Sequence, residues 1–466
     1  MTWRSSGPHG GHVPSPSRAE PNRGTRSGGL RPPRSGSPSV LALAVPALVV
    51  LAAEPLYLLV DTAVVGNLGT VPLGGLAIGG GLLAWAAALL NFLAYGTTAR
   101  AARRAGAGDR AGAVAEGVQA TWLALALGLG VLLVFQLLAG PLTRLLAGGA
   151  GPVADAGEQW LRVASLGAPL LLVSLAGNGW LRGVQELRRP VRYVLAGSLA
   201  SVVLCPLLVF PADLGLVGSA VANVVGQAVT ASLFVRALLR EETSWRPRAS
   251  AIGTQLVIGR DLLLRAAVLQ LSFLVAAGVA ARAGTAELGA HQIALQMFFF
   301  LALVLDAYAI AAQTLVGHAL GGNRPDDARA TARRVAVWGL GTGLVVAVLL
   351  LALRPLLLPL FTDDAAVLHQ AELVWWFLAG MQPLAGVVFA LDGVLMGASD
   401  VGYLRTVTIG SALLGFLPFS LLAGPLGWGL AGIWTGLCLF IGLRLVAVLL
   451  RVAGDRWLGA PVTVGA

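Results

Sequence analysis

The chain contains no lysine, and all 32 of its basic residues are arginine. A Walker loop, Gly-x-x-x-x-Gly-Lys, therefore cannot exist, which excludes ATP use of that kind. Only two cysteines are present, Cys205 and Cys438, both within apolar stretches. They form no Cys-x-x-Cys pair and no disulfide framework, and read as small packing residues. No His-Glu-x-x-His and no Gly-x-Ser-x-Gly occurs, which removes the zinc-protease and hydrolase signatures. Charge is scarce as well. Charged residues make up 12% of the chain, against about 25% in an ordinary soluble domain. That excludes a cytosolic enzyme and a disordered chain. The longest polar connection, about 240–258, is short and basic. It leaves no room for a catalytic domain, so the sequence predicts no enzyme, no catalytic residue, no metal site and no bound cofactor.

Apolar residues fill the space instead. They make up 57% of the 466 residues, and mean hydropathy is +0.80. A membrane-spanning helix takes about 20 residues, so twelve need about 240, close to the apolar total. Turn signals and charge clusters cut the chain into spans near 40–66, 72–99, 113–139, 158–181, 192–211, 215–239, 262–281, 287–317, 335–360, 370–397, 403–423 and 427–450. Only helices or closed barrels cross lipid, and continuous apolar runs of this length read as helices. The lipid bilayer is thus a partner. The net charge of +10 does not imply nucleic acid, because the arginines lie between apolar spans rather than on a soluble domain.

Counting arginines on alternate sides places 28 on one side, including the tail, and four (Arg144, Arg162, Arg282, Arg354) on the other. The positive-inside rule then predicts both termini in the cytoplasm of a multi-pass cell-membrane protein. On this count Arg182, Arg188, Arg189 and Arg192 are cytoplasmic anchors. Residues 1–38, rich in Ser, Pro, Gly and Arg, read as a disordered cytoplasmic basic tail.

Four anchors recur at a near-constant offset. Gly69-Thr70 matches Gly284-Thr285 at 215. Gly108-Asp109-Arg110 matches Gly322-Asn323-Arg324, Asn178-Gly179 matches Asp392-Gly393, and Gly215-Leu216 matches Gly429-Leu430, each at 214. The expected organisation is a tail (1–38), a six-helix bundle (39–239), a cytoplasmic linker (240–258), a second six-helix bundle (259–454) and a C-terminal tail (455–466). Six spans is an even number, so the halves share one topology, as parallel repeats about an axis along the membrane normal. The expected fold is all-α, with twelve helices in two pseudo-twofold-related bundles around a central cavity.

Ionisable side chains at membrane depth are site hypotheses by default. Four carboxylates qualify: Glu54, Asp61, Asp306 and Asp392. Glu54 and Asp61 are two helical turns apart and share one face, with Pro55 between them able to kink the helix. Such a pair can take up and release a proton. The competing readings are structural: Asp61 as a helix-end residue in a bonded network, Glu54 as a cap for backbone broken at Pro55. His291, Gln292 and Gln296 lie near the start of the eighth span, with Asp306 deeper, and Asp392 occupies the repeat position of Asn178. These, with Tyr95 and Tyr308, are candidates to line the substrate cavity. Phe298, Phe299 and Phe300 are further aromatic candidates. Core or lipid-facing packing is the alternative for each.

The strings AEPLYLLVDTAVVGNLG (53–69), NGWLRGVQELRRP (178–190), GAHQIALQ (289–296) and LDGVLMGASD (391–400) resemble the MATE (multidrug and toxic compound extrusion) family of transporters, in its DinF-like branch. The resemblance runs from about residue 40 to 454. It implies an antiporter that exports amphipathic or cationic small molecules, drugs and toxic metabolites among them, driven by inward H⁺ or Na⁺. It places the family's first-helix acid on Asp61 and its fourth-helix amide on Asn178, so Asp61, Glu54 and Asn178 are the expected coupling residues. In the fifth helix the chain departs from the family: Ser198, Ser201 and Cys205 stand where Asn, Asn and Asp are often found. A hard cation needs several oxygen ligands, so this departure favours H⁺ over Na⁺. The alternatives are a flippase for a lipid-linked saccharide precursor, whose cavity should be rich in Arg and Lys, and a membrane-embedded transferase. Acidic cavity candidates favour the exporter of cations, expected to act as a monomer.

Overall fold

The structure is a computed structural model and describes residues 40–459. The basic tail expected at 1–38 lies outside the described residues, as does 460–466. Within them the chain is helical and carries twelve helices long and apolar enough to cross a membrane. In the first half these are α1 (Val40–Gly66), α2 (Thr70–Gly106), α3 (Arg110–Ala147), α4 (Pro152–Gly183), α5 (Arg188–Val209) and α6 (Gly215–Leu239). In the second they are α7 (Ile252–Ala283), α8 (Thr285–Gly321), α9 (Pro325–Leu360), α10 (Ala365–Gly397), α11 (Val401–Ala423) and α12 (Gly429–Ala453).

Several helices outrun their apolar windows. The 38 residues of α3 span about 57 Å at 1.5 Å per residue, well beyond the hydrocarbon layer of about 30 Å. Capping sets such ends. The Asp109 carboxylate accepts from Gly112 N at 2.7 Å where α3 begins, and Asp364 accepts from Ala366 N and Val367 N where α10 begins. The connection between the halves is shorter than the 240–258 expected from polarity, because the helix resumes at Ala249. The expected C-terminal tail is anchored at its start: Asp455 pairs with Arg329 at 2.8 Å, and Trp457 is fully buried.

The repeat is written into the backbone. Left-handed conformations recur at an offset of 214: Gln185 and Ser399 (φ 62° and 60°), Asp213 and Gly427 (53° and 68°), Gly215 and Gly429 (51° and 52°). Two of the first three are not glycine, so the turns themselves, and not residue type alone, are repeated.

The apolar cores show how the halves meet. One cluster draws on both halves, from Leu43 and Phe92 to Val316, Leu395 and Val448. These residues sit at the helix ends nearest the arginine-rich connections. Beyond it the halves part: Leu76, Phe135 and Trp160 belong to a core of the first half, Phe298, Trp375 and Trp434 to a core of the second. At the shared end α2 and α8 touch through main chain. A Cβ at Gly106 would fall on the His318 carbonyl, and one at Gly321 on the Arg103 carbonyl. The Arg103 guanidinium donates to the Gly397 and Ala398 carbonyls across the halves. Outward faces carry exposed apolar side chains such as Leu137 and Leu414, as a lipid-facing surface requires.

Candidate functional site

Two polar sites interrupt the apolar interior. The first is held by α1, α5 and α6. Asp61 is fully buried. Its Oδ1 accepts from the Cys205 thiol on α5 at 3.2 Å, and Oδ2 has no partner. Ser219 on α6 stands beside the carboxyl, and its hydroxyl accepts from Trp160 Nε1 at 3.2 Å. Cys205 is thus more than the packing residue its apolar neighbours suggested. Ser201 is engaged elsewhere, donating to the Ala222 carbonyl at 3.1 Å. The close α5–α6 contact places that hydroxyl where a Cβ on Gly226 would fall.

Glu54 does not join Asp61. It is exposed to a small cavity of about 40 Å³ lined also by Trp160, Asn223 and Gln227. Buried Tyr57 lies one turn before Asp61, close to Asn223. Seven residues of helix, about 10 Å, therefore separate a sealed acid from one that faces open space. Asn178 lies at the contact of α4 with α2, where the Thr98 hydroxyl reaches the neighbouring Gly179 carbonyl at 3.1 Å. Its Oδ1 is buried without a partner. No hydrogen bond ties it to Asp61 or Glu54 among the described residues.

The second site is a cavity of about 190 Å³ between the halves, lined by parts of α2, α7, α8 and α10. Tyr95, Asp306 and Asp392, three of the candidates, meet there. The Tyr95 hydroxyl donates to Asp306 Oδ2 at 2.6 Å. Asp392 accepts at one oxygen from both Arg265 and Arg444. Arg265 lines the cavity; Arg444 is buried, its guanidinium 5.2 Å from the Phe440 ring. Arg182, also buried, lies within electrostatic reach of Tyr95 and Asp306. Pseudo-symmetry organises the site: the repeat counterpart of Asp306 is Asn91, which lines the same cavity, and that of Asp392 is Asn178.

Arg182, Arg265 and Arg444 correct the sequence reading, which had counted all three with the cytoplasmic connections. The signal for Arg444 was present: it is a lone charge in the apolar run of α12, and the rule applied to acids at membrane depth applies equally to bases. The pairing of Asp392 with two of these arginines also removes the ground on which cations were favoured. The other cavity candidates lie elsewhere. His291 is buried with both ring nitrogens unpartnered, its ring 6.1 Å from that of Trp434. It sits 15 residues before Asp306, about 22 Å along α8. Gln292 and Gln296 are exposed higher on the same helix. The Tyr308 hydroxyl turns away to α9, accepting from Thr342 at 2.9 Å. Phe298 packs with Phe273 in the second half's core, while Phe299, which meets the Phe273 ring edge-on, and Phe300 are exposed.

Comparison with known proteins agrees with this architecture. The family model described as MatE matches twice, at residues 46–207 and 262–420, one match in each half. Protein DETOXIFICATION 44, chloroplastic, of Arabidopsis thaliana is 33% identical over 88% of this chain and 80% of its own length. DNA damage-inducible protein F of Escherichia coli is 31% identical over 86% of this chain and 89% of its own. Among solved structures, a MOP superfamily transporter from Pyrococcus furiosus superposes with a TM-score of 0.81 at 21% identity, covering 89% of this chain and 95% of that one.

Proposed function

Because this chain belongs to the MatE family of membrane efflux transporters, we propose that it is a secondary active antiporter that exports amphipathic small molecules across the cell membrane, driven by inward H⁺ at Asp61. The observation that carries the ion assignment is the surroundings of that acid: a thiol, a hydroxyl and one unpartnered carboxylate oxygen. Binding a proton needs no more than the carboxyl. Binding Na⁺ needs a shell of hard oxygen ligands, and here a thiol takes one place. Glu54, on the wall of the neighbouring cavity, stands on the route by which a proton reaches Asp61. Substrate occupies the cavity between the halves. With the arginine-rich end in the cytoplasm, the contact of α2 with α8 closes the protein on that side, and alternating access requires it to part.

A flippase for a lipid-linked saccharide gains one point from the structure, since the cavity wall does hold a guanidinium group, that of Arg265. Its two carboxylates and its volume of about 190 Å³ favour a small molecule.

The test is efflux from proteoliposomes of amphipathic dyes of both charges. A pH gradient alone should drive it, a Na⁺ gradient alone should not, and Asp61→Asn should end it while the purified variant remains folded. Efflux on Na⁺ alone, or full transport by Asp61→Asn, would overturn the assignment.

A further inference from the structure

The charges around the central cavity do not balance. Three guanidinium groups, Arg265 on the cavity wall and Arg182 and Arg444 buried behind it, surround two carboxylates, Asp306 and Asp392. Asp392 is shared by Arg265 and Arg444, while Asp306 accepts from the Tyr95 hydroxyl and is the carboxylate within electrostatic reach of Arg182. One positive charge is in excess. Arg182 is 5% exposed, yet among the described residues its guanidinium makes no hydrogen bond and no ion pair. Buried arginines are almost always paired, because a charge removed from water needs a counter-charge. Its position in the last turn of α4 complements the helix dipole, but that is a fractional charge and satisfies no guanidinium nitrogen. One anion is missing from this cluster.

Resting on the transport reading above, we propose that the substrate supplies it: the cavity takes an amphipathic organic carboxylate, its carboxylate held by Arg265 on the wall with the charge of Arg182 behind it, and its apolar body against Phe92, Leu262, Leu269 and Phe389. Guanidinium and carboxylate match in plane and in spacing, so one arginine grips both oxygens. These four apolar side chains all line the cavity beside Arg265. A cationic substrate would have to displace a guanidinium group from Asp392 or the tyrosine from Asp306. A pyrophosphate carries more charge than the single excess this cluster offers.

The experiment is titration calorimetry and thermal unfolding of the full-length protein in detergent. The ligands are 2-naphthoate, its isosteric opposite 2-naphthylmethylammonium, inorganic pyrophosphate and chloride. Naphthoate should bind at least about tenfold more tightly than the amine, one charge-assisted contact's worth, and raise the unfolding temperature. Arg182→Gln should weaken naphthoate binding by about the same factor. Asp306→Asn, which removes a competing carboxylate, should tighten it, and a gain cannot come from misfolding. Preference for the amine, binding of neither, stabilisation by pyrophosphate or chloride in place of naphthoate, or indifference to both substitutions would overturn the proposal. Efflux driven by a pH gradient is not read by this assay, so the coupling assignment stands or falls apart from it.

Discussion

The Cys205 thiol on α5 donates to the Asp61 carboxylate on α1 at 3.2 Å, with neither residue exposed. This one contact joins two helices from opposite ends of the first half's sequence. On the proposed coupling at Asp61, it also decides which ion the site accepts. Cys205→Asp should place a second carboxylate against Asp61 beside the Ser219 hydroxyl, and efflux should then respond to a Na⁺ gradient imposed without ΔpH. Ser201→Asn, also suggested by the family pattern, should fail for a steric reason. The Ser201 side chain fills the α5–α6 contact at Gly226, and overpacking there should cost about 1–3 kcal/mol, read as a lower unfolding temperature.

Arg444 and Arg265 share one oxygen of Asp392. Arg444→Met leaves a buried carboxylate with one partner, and removing a partner from a buried ion pair typically costs about 3–5 kcal/mol. The double variant Arg444→Met with Asp392→Leu should recover much of that loss, because the Arg265 side chain is 19% exposed on the cavity wall. Unfolding in detergent compares the two. Equal stability of the single variant and the parent would show that Asp392 needs no second partner there.

Tyr95 crosses between the halves twice, through its hydroxyl to Asp306 and through its carbonyl, which accepts from Gln313 Nε2 at 2.6 Å. Tyr95→Phe keeps the second link and breaks the first. A hydrogen bond to a charged group contributes about 1.5–3 kcal/mol. The loss should shrink when Asp306→Leu is already present, and a double-mutant cycle measures the difference.

Gly106 and Gly321 are repeat partners whose missing Cβ atoms let α2 and α8 meet through main chain. Gly106→Ala should hold them apart. A cysteine introduced on the cavity wall at Ala266→Cys should then react several-fold faster with a water-soluble maleimide added from the arginine-rich side. No change in rate would mean that the contact of α2 with α8 is not the seal.

The twelve spans were legible because lipid imposes a single solution on every apolar run, and the repeat because turns tolerate few residue types. The central site was less so. Tyr95, Asp306 and Asp392 stand 297 positions apart at the extremes, and nothing local says that they converge. Arg182 and Arg265 lie at the polar margins of the apolar runs near 158–181 and 262–281, where hydropathy grades smoothly into connection and depth is lost. His291 and Tyr308 misled for the opposite reason: on a 37-residue helix a residue's distance from the membrane surface does not say which neighbour it faces. The separation of Glu54 from Asp61 followed from packing, since α5 and α6 cover one and leave the other open.

The core shared by both halves at the arginine-rich end has a thermal consequence. To open that end, Phe92, Leu315 and Val316 must lose apolar neighbours, while the far ends, now built on separate cores, must gain them. Burial of this kind weakens on cooling and carries a heat-capacity change. Unless the area lost at one end equals the area won at the other, the populations of the two states drift with temperature. On the proposed alternating access, cold alone should then redistribute the molecule between its faces, with no ligand bound and no gradient applied.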